Sequence, residues 1–140
     1  TCRASAIPNS PEAAAKIEAR VRAAAKKPTG ELTRADLERV RKLDLPDDKI
    51  TDLTPFAAFT QLTNLDLRGN PFTDLSPLAK LTQLTNLDLR RNHFSDLSPL
   101  AGLTQLRYLD LEDNPNLTRA QIEKLQKALP NCKITHNATK

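Results

Sequence analysis

The chain has 140 residues, enough for one domain, with 27% charged residues, 4% aromatic ones and a formal net charge of +4. The excess is local: residues 1–30 carry 6 basic against 2 acidic side chains, and residues 31–140 carry 15 of each. A nucleic-acid binder needs a basic stripe with aromatics between, and a membrane-spanning helix needs ~20 apolar residues in a row; the chain has neither.

Taken in order, Thr1 to Asn9 reads as a flexible tail. Ser10 is placed to cap a helix whose first residue is Pro11, running to about Lys27 and stopped by Pro28. Its apolar stripe is Ala14, Ile17, Val21 and Ala24, too small-sided for a membrane surface and suited to packing on a neighbour. Thr29-Gly30 makes a turn, and Thr33 with Asp36 forms a capping box into a second short helix, Arg34 to about Arg39.

From Val40 onward a fixed period takes over. Residues 62–83 read LTNLDLRGNPFTDLSPLAKLTQ and residues 84–105 read LTNLDLRRNHFSDLSPLAGLTQ, two tandem copies of 22 residues. Val40, Leu43, Leu45, Asp48 and Ile50 fill the same slots one period earlier, and Leu106, Leu109, Leu111 and Asn114 one period later. An apolar period in the low twenties predicts a solenoid, one coil per repeat. A chance amphipathic helix would need a 3.6-residue period, which the spacing and the internal prolines exclude.

Within each coil the L-x-L pair predicts a strand, and stacked strands would pair in parallel. Ile50, Phe72 and Phe94 occupy one slot and should form a buried spine; Asp48, Asn70, Asn92 and Asn114 occupy another, turned inward, where an amide can bond backbone groups left free by the bend. Asp48 lacks the donor half of an amide, so the first turn should be the least secure. Thr54, Ser76 and Ser98 read as caps, each followed by a proline at the first helical position, with room for one 3₁₀ turn.

The last coil departs from this. Thr118 with Gln121 makes a second capping box, and Ile122, Leu125 and Leu129 mark a true helix ended by Pro130. Leu129, Cys132 and Ile134 then restart the expected strand at the slots of Leu106, Leu109 and Leu111, 23 residues on. On that register Cys132 points inward and is inert, while Cys2 in the tail is exposed and reactive; the pair cannot be assigned as a disulfide from sequence.

The pattern L-x-x-L-x-L-x-x-N, in register over four copies, resembles leucine-rich repeats. The segments TDLTPF at 51–56, TDLSPL at 73–78 and SDLSPL at 95–100 resemble the 22-residue repeats of internalins and related bacterial surface proteins, and ELTRADLERVRKLDL at 31–45 is similar to the end of the helical cap preceding them. The resemblance covers about residues 31–117; the helix-backed ending is similar instead to the terminal unit of longer leucine-rich repeats. It implies an α/β leucine-rich repeat solenoid with a curved parallel sheet of about five strands, an N-terminal helical cap and a C-terminal helix-plus-strand cap. The expected division of this one structural domain is tail and cap at 1–39, four repeats at 40–128, and terminal strand and tail at 129–140. The resemblance favours an exported or cell-surface setting, although no signal peptide stands in the sequence, and the lack of Met suggests a trimmed or excised chain.

Chemistry for catalysis is missing from the pattern: His93 and His136 lie on different coils, the three glycines make no phosphate loop, and no His or Cys ligands converge on a metal. No cofactor is expected. What remains is the concave face, formed by the residues alternating with the inward leucines. The expected columns are Lys42, Asn64, Asn86, Tyr108 and Asn131; then Asp44, Asp66, Asp88, Asp110 and Lys133; then Pro46, Arg68, Arg90, Glu112 and Thr135, with Gly69 and Arg91 at the rim. Carboxylates ~5 Å apart repel by roughly 3 kcal/mol per pair at an effective dielectric of 20, and by less than ~1 when solvated. Either Arg68, Arg90, Lys42 and Lys133 neutralise that row and Asp is tolerated, or the row receives Lys or Arg of a partner; a flat row cannot supply the six to eight converging oxygens calcium prefers. Tyr108 is the only tyrosine, and Tyr and Arg anchor interfaces most often, so Tyr108 with Arg90 and Arg91 forms the best contact cluster, bordered by Arg68, Asp66, Asp88, Asp110, Asn64 and Asn86. The expected role is a monomeric protein-binding module of unknown partner; the alternative is a structural or substrate-recruiting segment of a larger bacterial surface or exported protein.

Overall fold

Five short strands pair in parallel, in the order in which they occur along the chain: β1 Lys42–Asp44, β2 Asn64–Asp66, β3 Asn86–Asp88, β4 Tyr108–Asp110 and β5 Lys133–Thr135. The computed structural model describes residues 9–138. The expected tail therefore falls, with Cys2, outside the described residues up to residue 8. Asn9 itself is tied down: its Oδ1 accepts the N–H groups of Thr51 (2.8 Å) and Asp52 (2.9 Å), and its Nδ2 donates to the Asp52 carbonyl.

Helix α1, Pro11–Ala25, opens as expected, with the Ala13 N–H donating to Ser10 Oγ at 3.1 Å. It ends earlier than Pro28 would dictate. Lys26 takes a left-handed φ of 58°, and the Lys27 N–H folds back onto the Arg22 carbonyl, which satisfies the helix end before the proline is reached. The buried stripe is Ala13, Ile17, Val21 and Ala25 in place of the expected 14, 17, 21 and 24. A strict four-residue spacing lets α1 lie obliquely over the end of the leucine stack with small side chains at both ends of its contact.

Helix α2, Arg34–Glu38, has the expected capping box: Asp36 N–H donates to Thr33 Oγ1 and Thr33 N–H to Asp36 Oδ2. Asp36 also takes Lys27 Nζ at 2.7 Å and an Arg39 guanidinium nitrogen at 2.9 Å. The Lys27 ammonium, then the Thr33 N–H, hold its carboxyl well below the usual carboxylate range. One carboxylate thus ties α2 to the turn after α1, and Arg39 carries the link on to the Ala25 carbonyl of α1 at 3.1 Å.

Behind the sheet the coils return through single 3₁₀ turns, Thr54–Ala58, Ser76–Lys80 and Ser98–Leu100. Their prolines sit at the start as expected, but the hydroxyls do not cap. The N–H groups of Thr54, Ser76 and Ser98 instead donate to Asp52, Asp74 and Asp96 at 2.9–3.0 Å. The aspartate two residues upstream reaches that N–H in an Asx turn, which a 3₁₀ start accommodates better than a hydroxyl cap designed for an α-helix.

Between sheet and turns the core is continuous. Ile50, Phe72 and Phe94 are all buried, and the two phenylalanine rings stack with centroids 6.1 Å apart and planes 12° from parallel. The asparagine column forms a ladder. Asn70 Oδ1 accepts the N–H groups of Asp48 and Ile50, and its Nδ2 donates to the Leu45 and Leu67 carbonyls at 2.9 and 2.8 Å. Asn92 and Asn114 continue the ladder one and two coils on, Oδ1 accepting the N–H of Asn70 and of Asn92 respectively. In each, Nδ2 donates to the leucine carbonyls of its own coil and the one before.

The ladder's first member differs. Asp48 Oδ2 is buried and accepts no hydrogen bond, and Lys16 Nζ of α1 stands 3.5 Å from Oδ1. The Leu67 carbonyl takes two amide donors, from Asn70 and Asn92, and the Leu89 carbonyl two, from Asn92 and Asn114, whereas Leu45 receives one, from Asn70. Asp48→Asn supplies the missing donor, so a stabilisation of about 1 kcal/mol is expected in urea unfolding. A destabilised variant would mean that the Lys16 contact outweighs the unfilled donor position.

Helix α3, Arg119–Ala128, carries the expected box between Thr118 and Gln121. The strand after it does not start where the leucine spacing suggests. Tyr108 pairs with Lys133, Leu109 with Ile134 and Asp110 with Thr135, so the last coil is 25 residues long and not 23. An α-helix rises ~1.5 Å per residue against ~2.0 Å for a 3₁₀ turn, so spanning the same arc takes more residues. Cys132 is buried as expected, but just before the strand; Ile134 holds the inward strand position. Burial pushes the Cys132 thiol up from its ordinary value.

Candidate functional site on the concave face

The strand register assembles the outward residues into rows. Lys42, Asn64, Asn86, Tyr108 and Lys133 form one column, and Asp44, Asp66, Asp88, Asp110 and Thr135 the next. Lys133 and Thr135 each stand one column nearer the strand start than expected, and Asn131 leaves the face, because of the longer last coil. These residues line a shallow hollow of about 280 Å³ that reaches all five strands.

Three aspartates of the row have a local task that their spacing did not reveal; Asp44, followed two positions on by Pro46 with no N–H, does not share it. Asp66, Asp88 and Asp110 accept, at 3.1 Å, the N–H of the residue two positions on, namely Arg68, Arg90 and Glu112. They turn the chain at the strand exit, so an acidic row follows from the turn geometry before any partner is considered. The asparagines are tethered as well: Thr63 and Thr85 hydroxyls donate to Asn64 and Asn86 Oδ1 at 3.0 Å.

The arginines neutralise the row unevenly. Arg90 grips Asp88 with two nitrogens, Nη2 to Oδ2 at 2.7 Å and Nε to Oδ1 at 3.0 Å, and stands 3.3 Å from Asp110. Arg68 Nε lies 3.4 Å from Asp66 Oδ2 without a hydrogen bond, and Lys42 Nζ is 3.9 Å from Asp44. Two aspartates in equivalent positions are therefore tuned in opposite directions. Burial raises the Asp66 carboxyl, and the charges of Asp88 and Asp44 add to that effect, against the N–H and charge of Arg68. At Asp88 burial also pushes upward, but the Arg90 hydrogen bonds and charge overcome it and the carboxyl is lowered.

The expected result in a carboxyl-carbon NMR titration is that Asp66 protonates at a higher pH than Asp88. The signs for stability follow. Ionised Asp66 costs stability, and the cost is relieved as pH falls through its raised value; Asp88 contributes stability above the ordinary carboxylate range and loses it as pH falls through its lowered value. Coincident titrations would refute the unequal pairing.

At the rim, Asp47, Gly69, Arg91 and Asp113 all adopt left-handed φ, between 56° and 73°. Arg91 reaches back over Gly69 to Asp47, nitrogen to oxygen 3.5 Å. A Cβ on Gly69 would overlap Asp47 Oδ1, so glycine is needed there for space as well as for φ. Arg91 is thus a neighbour of Asp47 at the edge, not part of the Tyr108 row. Tyr108 itself is 57% exposed, the one large hydrophobic side chain standing free among the described residues.

Among the described residues no three His, Cys, Asp or Glu side chains come together as a metal-binding group, and no helix is long and apolar enough to cross a membrane.

A family model described as Leucine Rich repeats (2 copies) matches residues 38–80 and 82–131. No curated protein matches the chain. Among solved structures, an internalin from Listeria monocytogenes is similar over 99% of this chain and 42% of its own, with a TM-score of 0.78 and 28% identity. A leucine-rich repeat protein of Leptospira interrogans is similar over 76% of this chain and 28% of its own, with a TM-score of 0.64 and 27% identity. Human trophoblast glycoprotein, named also as a Wnt-activated inhibitory factor, is 30% identical over 62% of this chain and 32% of its own, with a TM-score of 0.50. The chain therefore spans less than half the length of each of these neighbours.

Proposed function

The chain belongs to the leucine-rich repeat family, whose solenoids are protein-interaction scaffolds, and from that premise we propose that it is a non-catalytic module binding a protein partner on the concave sheet. The observation that carries this reading is Tyr108: a ring held in the open at a five-stranded hollow, the one large hydrophobic side chain exposed among the described residues. Arg90, Arg68, Asp66, Asp88 and Asp110 form a paired polar row along the adjoining column, and Asn86 and then Asn64 continue the column of Tyr108 itself. A row of that kind sets orientation more than affinity.

Tyr108→Ala is expected to leave the thermal midpoint nearly unchanged, because the ring is exposed, and to weaken capture of the natural partner by about ten-fold or more. Arg90→Ala is expected to weaken binding less and to lower stability slightly, since it leaves Asp88 and Asp110 uncompensated. Binding that survives both changes but fails when the convex turn Ser76–Lys80 is altered would move the interface to the other side.

A second reading is supported by the 42% span of the Listeria internalin: the chain acts as a structural or substrate-recruiting segment of a larger bacterial surface or exported protein. Mass analysis of the native product separates the two. Sedimentation of the purified chain tests the monomeric state proposed for it.

A further inference from the structure

The charges of the concave face are not equally available. Asp88 and Asp110 are engaged by Arg90, Asp66 lies beside Arg68, and Asp44 beside Lys42. Lys133 is different. It is exposed, it has no ion-pair partner among the described residues, and the register of the last coil puts its Cα directly beside that of Tyr108. Adjacent strands lie ~4.8 Å apart, so the ammonium and the ring stand on one rung and can be covered by a single segment. Arg107, next to Tyr108 in sequence, is also exposed and has no ion-pair partner among the described residues. The acid nearest this rung, Asp110, is already held by Arg90 at 3.3 Å.

We propose that the β4–β5 end of the concave face receives a protein segment carrying a carboxylate side chain next to an aromatic one, the carboxylate on Lys133 and the ring on Tyr108. The inference rests on the concave-face reading and gives its partner a chemistry. A basic segment would find every aspartate of the row already facing a cation and would meet the free ammonium of Lys133 as a like charge. An acidic-aromatic segment meets one unpaired cation and one unpacked ring, with no internal ion pair to break. A lone apolar segment would use the ring and leave the ammonium capped by nothing.

The test uses a random heptapeptide display library selected against the immobilised full chain, followed by calorimetry with the synthetic consensus peptide. Enrichment of Asp or Glu within two residues of Phe, Tyr or Trp is expected. Lys133→Glu should weaken the consensus peptide by about ten-fold, because an attraction becomes a repulsion of similar size. A peptide with Lys in place of its acid should then bind Lys133→Glu better than the parent chain. Lys80→Glu, on the convex turn, is the control and should change nothing. Selection of basic peptides, no acidic enrichment, or a consensus peptide indifferent to Lys133→Glu would overturn the proposal. If that indifferent peptide still loses affinity with Tyr108→Ala, the concave-face reading survives alone; indifference to both variants retires the two together.

Discussion

Replacing Asn92 with alanine is expected to cost about 3 kcal/mol of stability, although no apolar contact of any size is lost. Asn92 Oδ1 accepts the Asn70 N–H at 2.9 Å, and its Nδ2 donates to the carbonyls of Leu67, Leu89 and Arg90. Those carbonyls keep another donor each: Asn70 Nδ2 on Leu67, Asn114 Nδ2 on Leu89 and the Gly69 N–H on Arg90. The Asn70 N–H keeps nothing. The cost is therefore one orphaned buried donor, about 1–3 kcal/mol, together with a small cavity and the lost amide bonds.

Asn92→Asp sharpens the test. It preserves the shape and the acceptor but turns an oxygen toward three carbonyls, so at neutral pH it should cost at least as much as alanine. Because the ionised form is disfavoured in the fold, its carboxyl is raised there, and stability should recover as pH falls and the acid gains a proton to donate. Asp48 tolerates a carboxylate at the equivalent position because it ends the ladder, with Lys16 3.5 Å away. An Asn92→Ala variant within about 0.5 kcal/mol of the parent in guanidinium unfolding would show that the ladder is decoration.

The second large effect lies at Phe94. Phe94→Ala is expected to cost about 3–5 kcal/mol, since the ring is fully buried and stacked on Phe72. Coils contact only their neighbours, so hydrogen exchange should show the loss first in the third and fourth coils, while β1 and the α1 cap stay protected longer. Phe94→Leu should recover much of the stability, because the first coil fills the same slot with Ile50. Uniform loss of protection from Asp36 to Thr135 would instead mean that the solenoid unfolds as one unit.

Much of the architecture is legible in the residues because the period repeats. A leucine column, a Phe-Phe-Ile spine and an Asn column each recur at 22 residues, and a parallel stack is the arrangement that buries all three in register. Both capping boxes, the 3₁₀ turns and the inward Asn ladder also follow from local chemistry, since their donors and acceptors lie within a few residues or one repeat of each other.

Tertiary structure decided what is not periodic. The stripe of α1 depends on the angle at which the helix crosses the stack, which its own alanines do not encode. The caps of the 3₁₀ turns fall on Asp52, Asp74 and Asp96 because the tight turn brings each carboxylate onto the N–H two residues on, in an Asx turn. The final register depends on how many α-helical residues span an arc that earlier coils cross with a 3₁₀ turn, and that choice alone carries Lys133 to the side of Tyr108. The pairing of the acidic row is likewise three-dimensional: equivalent Asp66 and Asp88 are distinguished only by where the Arg68 and Arg90 side chains come to rest, because rotamers, unlike strand register, do not follow the repeat.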